Sequence, residues 1–319
     1  MAVAPVQGLG RRLFVLAWGL CVAAAAWSAE CAPAPTAPGA AELPRLKAEA
    51  QDRGFLWRLR AGGHDSWLYG TLHIGKPAWA FPGPHLLAAL QASDTMALEM
   101  DPLDPAINAR MAQLSTRYAG RWPGSLVPRV QAQMARACVP AILQEKMHPA
   151  MLLATIGLYG MRPQQLYAEY AQEFVLSGLA HARGLPVVSM EPPETQARVL
   201  LGTQAPTAAA LAEGLADLES GHAASLMAAL TDTWATSDWK HLQAYADWCD
   251  CLKTAGERRE AKRMLDDRNP GLARDIDRLH RSGKTVFAAV GALHMVGPQG
   301  LVELLQRRGY QVELQPPAP

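Results

Sequence analysis

Two histidines sit in the same local frame far apart in the chain: His73 in SWLYGTLHIG (66–75) and His294 in VFAAVGALHMVG (286–297). Each follows a short apolar run and then Gly-x-Leu-His. With 26 Gly and 9 His among 319 residues, somewhat under one Gly-x-x-His is expected by chance, so the strand in front of each motif carries the weight. Carboxylates occupy similar places, with Glu99 and Asp101 closing TMALEMD and Glu191 following PVVSM. Two imidazoles and two or three carboxylates suit a divalent metal, whether zinc, manganese or cobalt, with His73, His294 and Glu99 as ligands. Such an ion lowers the pKa of bound water from about 15.7 toward 7 and polarises a carbonyl, which serves hydrolysis. The metal-free alternative makes Glu99, Glu191 or a histidine the general base, with another His or an Arg holding the oxyanion. Gly70 and Gly291 precede the histidines where a bare backbone can approach a ligand or turn sharply. A lone His or Glu after a strand is commonly a solvent-facing turn residue, and the repetition of the motif sets these apart. No Gly-x-Ser-x-Gly elbow and no His-Glu-x-x-His helix occurs.

These groups meet only if the strands before them are parallel neighbours, because ligands in open α/β sheets bind beyond the carboxyl ends of the strands. Residues 55–60 and 66–72 alternate apolar and polar around Ala61-Gly62-Gly63-His64-Asp65, a hairpin pattern. Runs at 95–100, 186–190 and 285–290 are apolar throughout, as for strands covered on both faces, and 310–314 is a last candidate. Pro84 to Gln91 reads as a helix feeding the 95–100 strand, giving a βαβ unit. Leu166, Tyr170 and Phe174 have helical spacing, as do Leu301, Leu304 and Leu305. The expected fold is α/β: a central mixed sheet built from strands at both ends of the chain, with large helical insertions, one at about 103–185.

Arg11-Arg12 followed by the apolar run Leu13–Ala26 has the layout of a signal peptide, so residues 1–29 are expected to be removed and the protein to be periplasmic or secreted. The other reading is an N-terminal membrane anchor, since Trp27 is a poor residue just before a cut after Ala29. No later stretch approaches the roughly 20 apolar residues of a membrane span. Residues 30–48 read as a Pro-rich disordered tether, and 49–316 as the folded domain. Without residues 1–29 the chain has 28 basic and 29 acidic residues, and no Lys/Arg cluster suggests nucleic acid as a partner. Of Cys31, Cys138, Cys249 and Cys251, a bridge between the last two would be strained, so Cys138 is expected to pair with one of them. The metal reading of Cys-Asp-Cys lacks a second pair.

The strings WLYGTLHIG, ALEMD, DDRNPGLARDIDRL (266–279) and VFAAVGALHMVGPQGLVELLQRRGYQVE (286–313) together resemble the TraB/GumN family, which is related to Tiki proteases, erythromycin esterases and ChaN-like proteins. The resemblance covers roughly residues 50–315. It implies one pocket lined by His73, His294, the acid Glu99, and Arg268 with Asn269 in the family's Arg-Asn place. Glu191 in SMEPPETQ resembles the family's Leu-Glu-Thr stretch, with Met190 and Pro192 replacing Leu and Thr. By itself Arg268 reads as an exposed salt-bridging residue of a charged helix; the resemblance makes it a holder of a substrate carboxylate or oxyanion, and Asn269 a substrate contact. Tiki proteins are metal-dependent and erythromycin esterases are thought not to be, so the resemblance leaves the cofactor open. The expected activity is a peptidase-like hydrolase acting on a peptide or a small amide or ester. The alternatives are a protein that binds a peptide signal without cleaving it, or one that carries a haem-like ligand.

Overall fold

Gly62 and Gly63 both have positive φ, 59° and 85°, the backbone that a two-residue hairpin turn requires and that glycine adopts without strain. They join the first two of six strands: β1 (Phe55–Ala61), β2 (His64–Thr71), β3 (Thr95–Leu98), β4 (Val187–Ser189), β5 (Val286–Gly291) and β6 (Gln311–Gln315). His64 and Asp65, expected in the loop, pair with Ala61 and Arg60. The computed structural model describes residues 31–36 and 38–318. The expected signal peptide lies outside these residues. Among the described residues no helix is long and apolar enough to cross a membrane.

The six strands form one sheet in the order β4-β3-β5-β2-β1-β6. β4, β3, β5 and β2 run parallel, while β1 is antiparallel to β2 and β6. This is the mixed α/β sheet, fed from both ends of the chain, that the sequence implies. The helix Pro84–Gln91 connects β2 to β3, with proline in its first turn, where the missing N–H costs nothing. β2 and β3 are not neighbours, however, because the chain returns near its end to lay β5 between them. The two Gly-x-Leu-His strands, β2 and β5, therefore lie side by side, about 4.8 Å apart.

Every residue of β3 and β5 is buried, matching their unbroken apolar sequence. The edges differ from that expectation: β4 is half-buried throughout and β6 mostly exposed, because each lacks a neighbour on one side. A second apolar core lies among the helices Val127–Arg136, Pro149–Tyr159 and Ala208–Ser220, centred on Val130, Leu152 and Leu215. The expected insertion is thus divided. Its first part packs with a helix from beyond β4, while Leu176 and Ala180 of the helix Gln172–Ala182 join the main core.

Two local expectations are corrected. The spacing of Leu166, Tyr170 and Phe174 does not make one helix. Tyr167 exchanges backbone hydrogen bonds with Gly75 (3.0 and 2.8 Å), a short 3-10 turn covers Ala168–Tyr170, and a helix begins at Gln172. Gly75 is required there, since a Cβ would lie 2.1 Å from the Tyr170 carbonyl oxygen. The cysteines pair as Cys31–Cys138 and Cys249–Cys251. Cys31 lies beside the helical region, with Cα atoms 5.7 Å apart, and the expected tether contains a helix, Leu43–Ala48. Asp250, with φ of 54°, turns the chain so that its two neighbours meet.

Leu152→Ala should cost about 2–5 kcal/mol in denaturant unfolding, because its fully buried side chain fills the second core. The near-ultraviolet signature of Trp57 and Trp234 should be retained, since both belong to the main core.

Candidate active site

Four neighbouring parallel strands end on the same side of the sheet, and each hands its chain to one polar residue. His73 follows β2, Glu99 follows β3, Glu191 follows β4, and His294 sits in the 3-10 turn Ala292–Met295 after β5. The meeting point is Gly291. A methyl group placed on its Cα would lie 3.5 Å from Glu99 Oε1, 3.6 Å from His294 Cδ2 and 3.7 Å from His73 Nε2. Gly291 also donates its N–H to Glu99 Oε1 at 2.9 Å. The missing side chain at this position is therefore the space that the three groups share.

Behind this space lies a buried cation. The segment Lys262–Asp266 is a π-turn, closed by the Asp267 N–H bonded to the Lys262 carbonyl at 2.9 Å. It ends two residues before Arg268, which caps the helix Asn269–Arg281 and points inward. The guanidinium donates to Glu191 at both oxygens (3.0 and 2.6 Å), to Glu99 Oε2, and to the Met264 carbonyl at 3.0 Å. Arg268, Glu99 and Glu191 side chains are only 8–9 % exposed. Gln196, on the helix Pro193–Leu201, donates to Glu99 Oε2 at 3.1 Å and Glu191 Oε2 at 2.6 Å. The exposed salt bridge expected of a charged helix is instead a buried double ion pair, since the π-turn redirects the side chain.

The hydrogen bonds assign His294. Its Nδ1–H donates to Asn269 Oδ1 at 2.5 Å, which leaves Nε2 to accept from Arg268 Nη1 at 3.1 Å. Burial pushes its pKa down to about 4, so the ring is neutral near pH 7. His73 is its opposite. Its Nδ1 lies 3.1 Å from Glu173 Oε1, and the Glu173 charge raises the imidazolium to about 9 against the cost of desolvation. Solvent reaches the His73 ring, which is 69 % exposed, but Glu173 is 12 % exposed and also accepts from Thr71 Oγ1, so its charge is held in place. Burial pushes the Glu99 carboxyl up, yet the Arg268 guanidinium, the His73 imidazolium and the Gly291 N–H together hold it well below the ordinary range. Near neutral pH the site pairs an ionised Glu99 with a protonated His73.

The expected residues take different roles. His73, Glu99 and His294 converge, and Glu191 joins them through Arg268. Asn269 is fully buried, with Oδ1 on His294 and Nδ2 on the Gln299 carbonyl at 2.8 Å, so both ends of its amide are engaged by protein groups. Gly70 does not border the space: a Cβ there would meet Ala292 and Phe55, and its carbonyl accepts from Trp234 Nε1 at 2.8 Å. Asp101 turns away to Ser177, His181 and the Leu103 N–H. The metal set His73, His294 and Glu99 does not fit a divalent ion as arranged. The Nε2 lone pair of His294 and Oε2 of Glu99 are engaged by Arg268, and Glu99 Oε1 keeps one lone pair beside its bond from the Gly291 N–H. Among the described residues no group of three His, Cys, Asp or Glu is placed to hold a metal. Glu173 and Gln196 escape a reading of the sequence, since both lie in helices, one residue behind a false period and the other five residues past Glu191.

The model of the TraB/PrgY/gumN family matches residues 55–314. No curated protein and no solved structure matches the chain.

Titration of the protein followed by the imidazole proton resonances should show His73 losing its proton near pH 9. In Glu173→Gln, which removes the carboxylate charge, the midpoint should fall toward the ordinary value of about 6.5. The pair thus supports folding below about pH 6.5, and that support should fade as pH rises through 9.

Proposed function

The chain belongs to the TraB/PrgY/gumN family, and from that premise we propose that it is a hydrolase of amide or ester bonds in peptides or similarly small substrates, with Glu99 and His73 acting on water. The observation that carries this reading is the shared space at Gly291, bordered by Glu99 Oε1 and His73 Nε2. One group is a carboxylate held ionised and the other an imidazolium held protonated, and environments that push two pKa values apart assign acid and base. Glu99 receives a proton from the water whose oxygen attacks the carbonyl carbon. The His73 Nε2–H holds the carbonyl oxygen as it gains negative charge, and the proton on Glu99 passes to the leaving nitrogen or oxygen as the C–N or C–O bond breaks.

Arg268 does not fill the expected role of an oxyanion contact in this scheme. Its guanidinium is bound to Glu99 and Glu191, so it fixes the carboxylate that aligns the water. A carboxylate so stabilised is a weak base, and the neighbouring imidazolium offsets this by stabilising negative charge that exists only in the transition state. No step in this scheme calls for a metal, and two of the expected donor atoms, His294 Nε2 and Glu99 Oε2, are engaged by Arg268. The arginine pair and apolar run at the N-terminus support export to the periplasm or beyond, as do two disulfides in a chain of this size.

Purified protein incubated with a mixture of quenched fluorescent peptides and aryl esters should release product in the presence of a chelator. Glu99→Gln and His73→Ala should each lower kcat/KM by about 10²–10⁴-fold. Glu99→Gln is the cleaner variant, since Arg268 keeps Glu191 as its partner. The rate should hold through neutral pH and fall as His73 deprotonates above about 9. A rate that instead climbs to a plateau above pH 9 would make His73 the base, and ligand binding without any turnover would favour a binding protein. Mass spectrometry of the exported protein should find its first residue at position 30.

A further inference from the structure

The two disulfides differ in what they can contribute to stability. A cross-link restrains the unfolded chain more as the loop it closes lengthens. Cys31–Cys138 spans 107 residues, so it limits the unfolded chain strongly. Cys249–Cys251 spans two, and residues so close in sequence are already near each other in any unfolded state. This small bridge therefore adds little restraint. It also requires Asp250 to hold a φ of 54°, a left-handed backbone that is uncommon outside glycine.

Its surroundings resemble a site built for exchange. Cys249 is 1 % exposed, while Cys251 is partly exposed beside the exposed Asp250, so Cys251 is the side of the bridge that solvent meets. The buried sulfur is prepared to leave. The Cys251 N–H points at Cys249 Sγ at 3.2 Å, a donor that would stabilise a thiolate there. The Tyr245 hydroxyl donates to Cys251 Sγ at 3.3 Å and marks the other side of the bridge.

We propose that Cys249–Cys251 is a thiol–disulfide exchange site for low-molecular-weight thiols, separate from the hydrolytic centre. A thiolate attacks Cys251 Sγ, forming a mixed disulfide, and the Cys249–Cys251 bond breaks with its electron pair going to Cys249 as a thiolate. A second thiolate attacks the sulfur of the small molecule in the mixed disulfide and releases Cys251. The sum is two small thiols oxidised to one disulfide and one protein disulfide reduced to two thiols, a two-electron exchange that runs equally in reverse.

The test equilibrates the full chain in glutathione buffers of rising reduced-to-oxidised ratio, traps free thiols by alkylation, and reads each cysteine by mass spectrometry. The Cys249–Cys251 bridge should open at a ratio about 100-fold lower than Cys31–Cys138, with the far-ultraviolet circular dichroism unchanged. The glutathione adduct should appear on Cys251. Cys249→Ser should accumulate that adduct when given oxidised glutathione, and Cys251→Ser should leave the buried Cys249 unmodified. The proposal is overturned if both bridges open at one ratio, if the small bridge resists until the dichroism is lost, or if the adduct forms on Cys249.

Discussion

A guanidinium buried between two carboxylates organises this protein. Removing Arg268, Glu99 and Glu191 from water is expensive, and only bonds of good geometry repay it. Arg268 forms them with both acids and with a backbone carbonyl, and Gln196 bridges the carboxylates from the other side. The cluster thereby ties the ends of β3 and β4 to the π-turn and to the helix that follows it. A further hydrogen bond runs from Arg268 to His294, whose ring is held from behind by Asn269. The orientation of the second motif histidine thus depends on a residue 26 positions earlier in sequence.

The same cluster separates the electrostatics of the two histidines, although their motifs look alike. His294 is enclosed beside a fixed positive charge and stays neutral. His73 stands at the solvent edge against Glu173 and carries a proton. Glu99 lies between them and feels the positive charges of Arg268 and His73 together with the Gly291 N–H. A symmetric motif has become an asymmetric site, in which one imidazole is neutral and held by Asn269 and Arg268, and the other is protonated beside Glu173.

Much of the frame was legible. Alternation and the Gly-Gly pair marked the β1–β2 hairpin, unbroken apolar runs marked the buried strands β3 and β5, and polar residues just after strands marked where chemistry gathers. The partners of those residues were hidden for particular physical reasons. Glu173 lies at the start of a helix whose register is set by the Gly75–Tyr167 backbone pairing, a contact across more than ninety residues that interrupts the apparent period of Leu166, Tyr170 and Phe174. Arg268 looked exposed because its neighbours are charged, and a single π-turn reverses that inference. Cys138 meets Cys31 because the N-terminal segment is tied to the helical region.

Strand positions, the two histidines and the acid at position 99 follow from local pattern, since burial on both faces and glycine before a polar residue leave marks in the residues themselves. Which strands are neighbours does not, because that depends on a chain end returning to lie between β2 and β3. That choice brings His73 and His294 to the same edge, lets Glu99 reach Gly291, and commits two donor atoms of the expected metal site to Arg268. Ion pairs and shared lone pairs exist only between groups that tertiary packing has already brought within a few ångströms of each other.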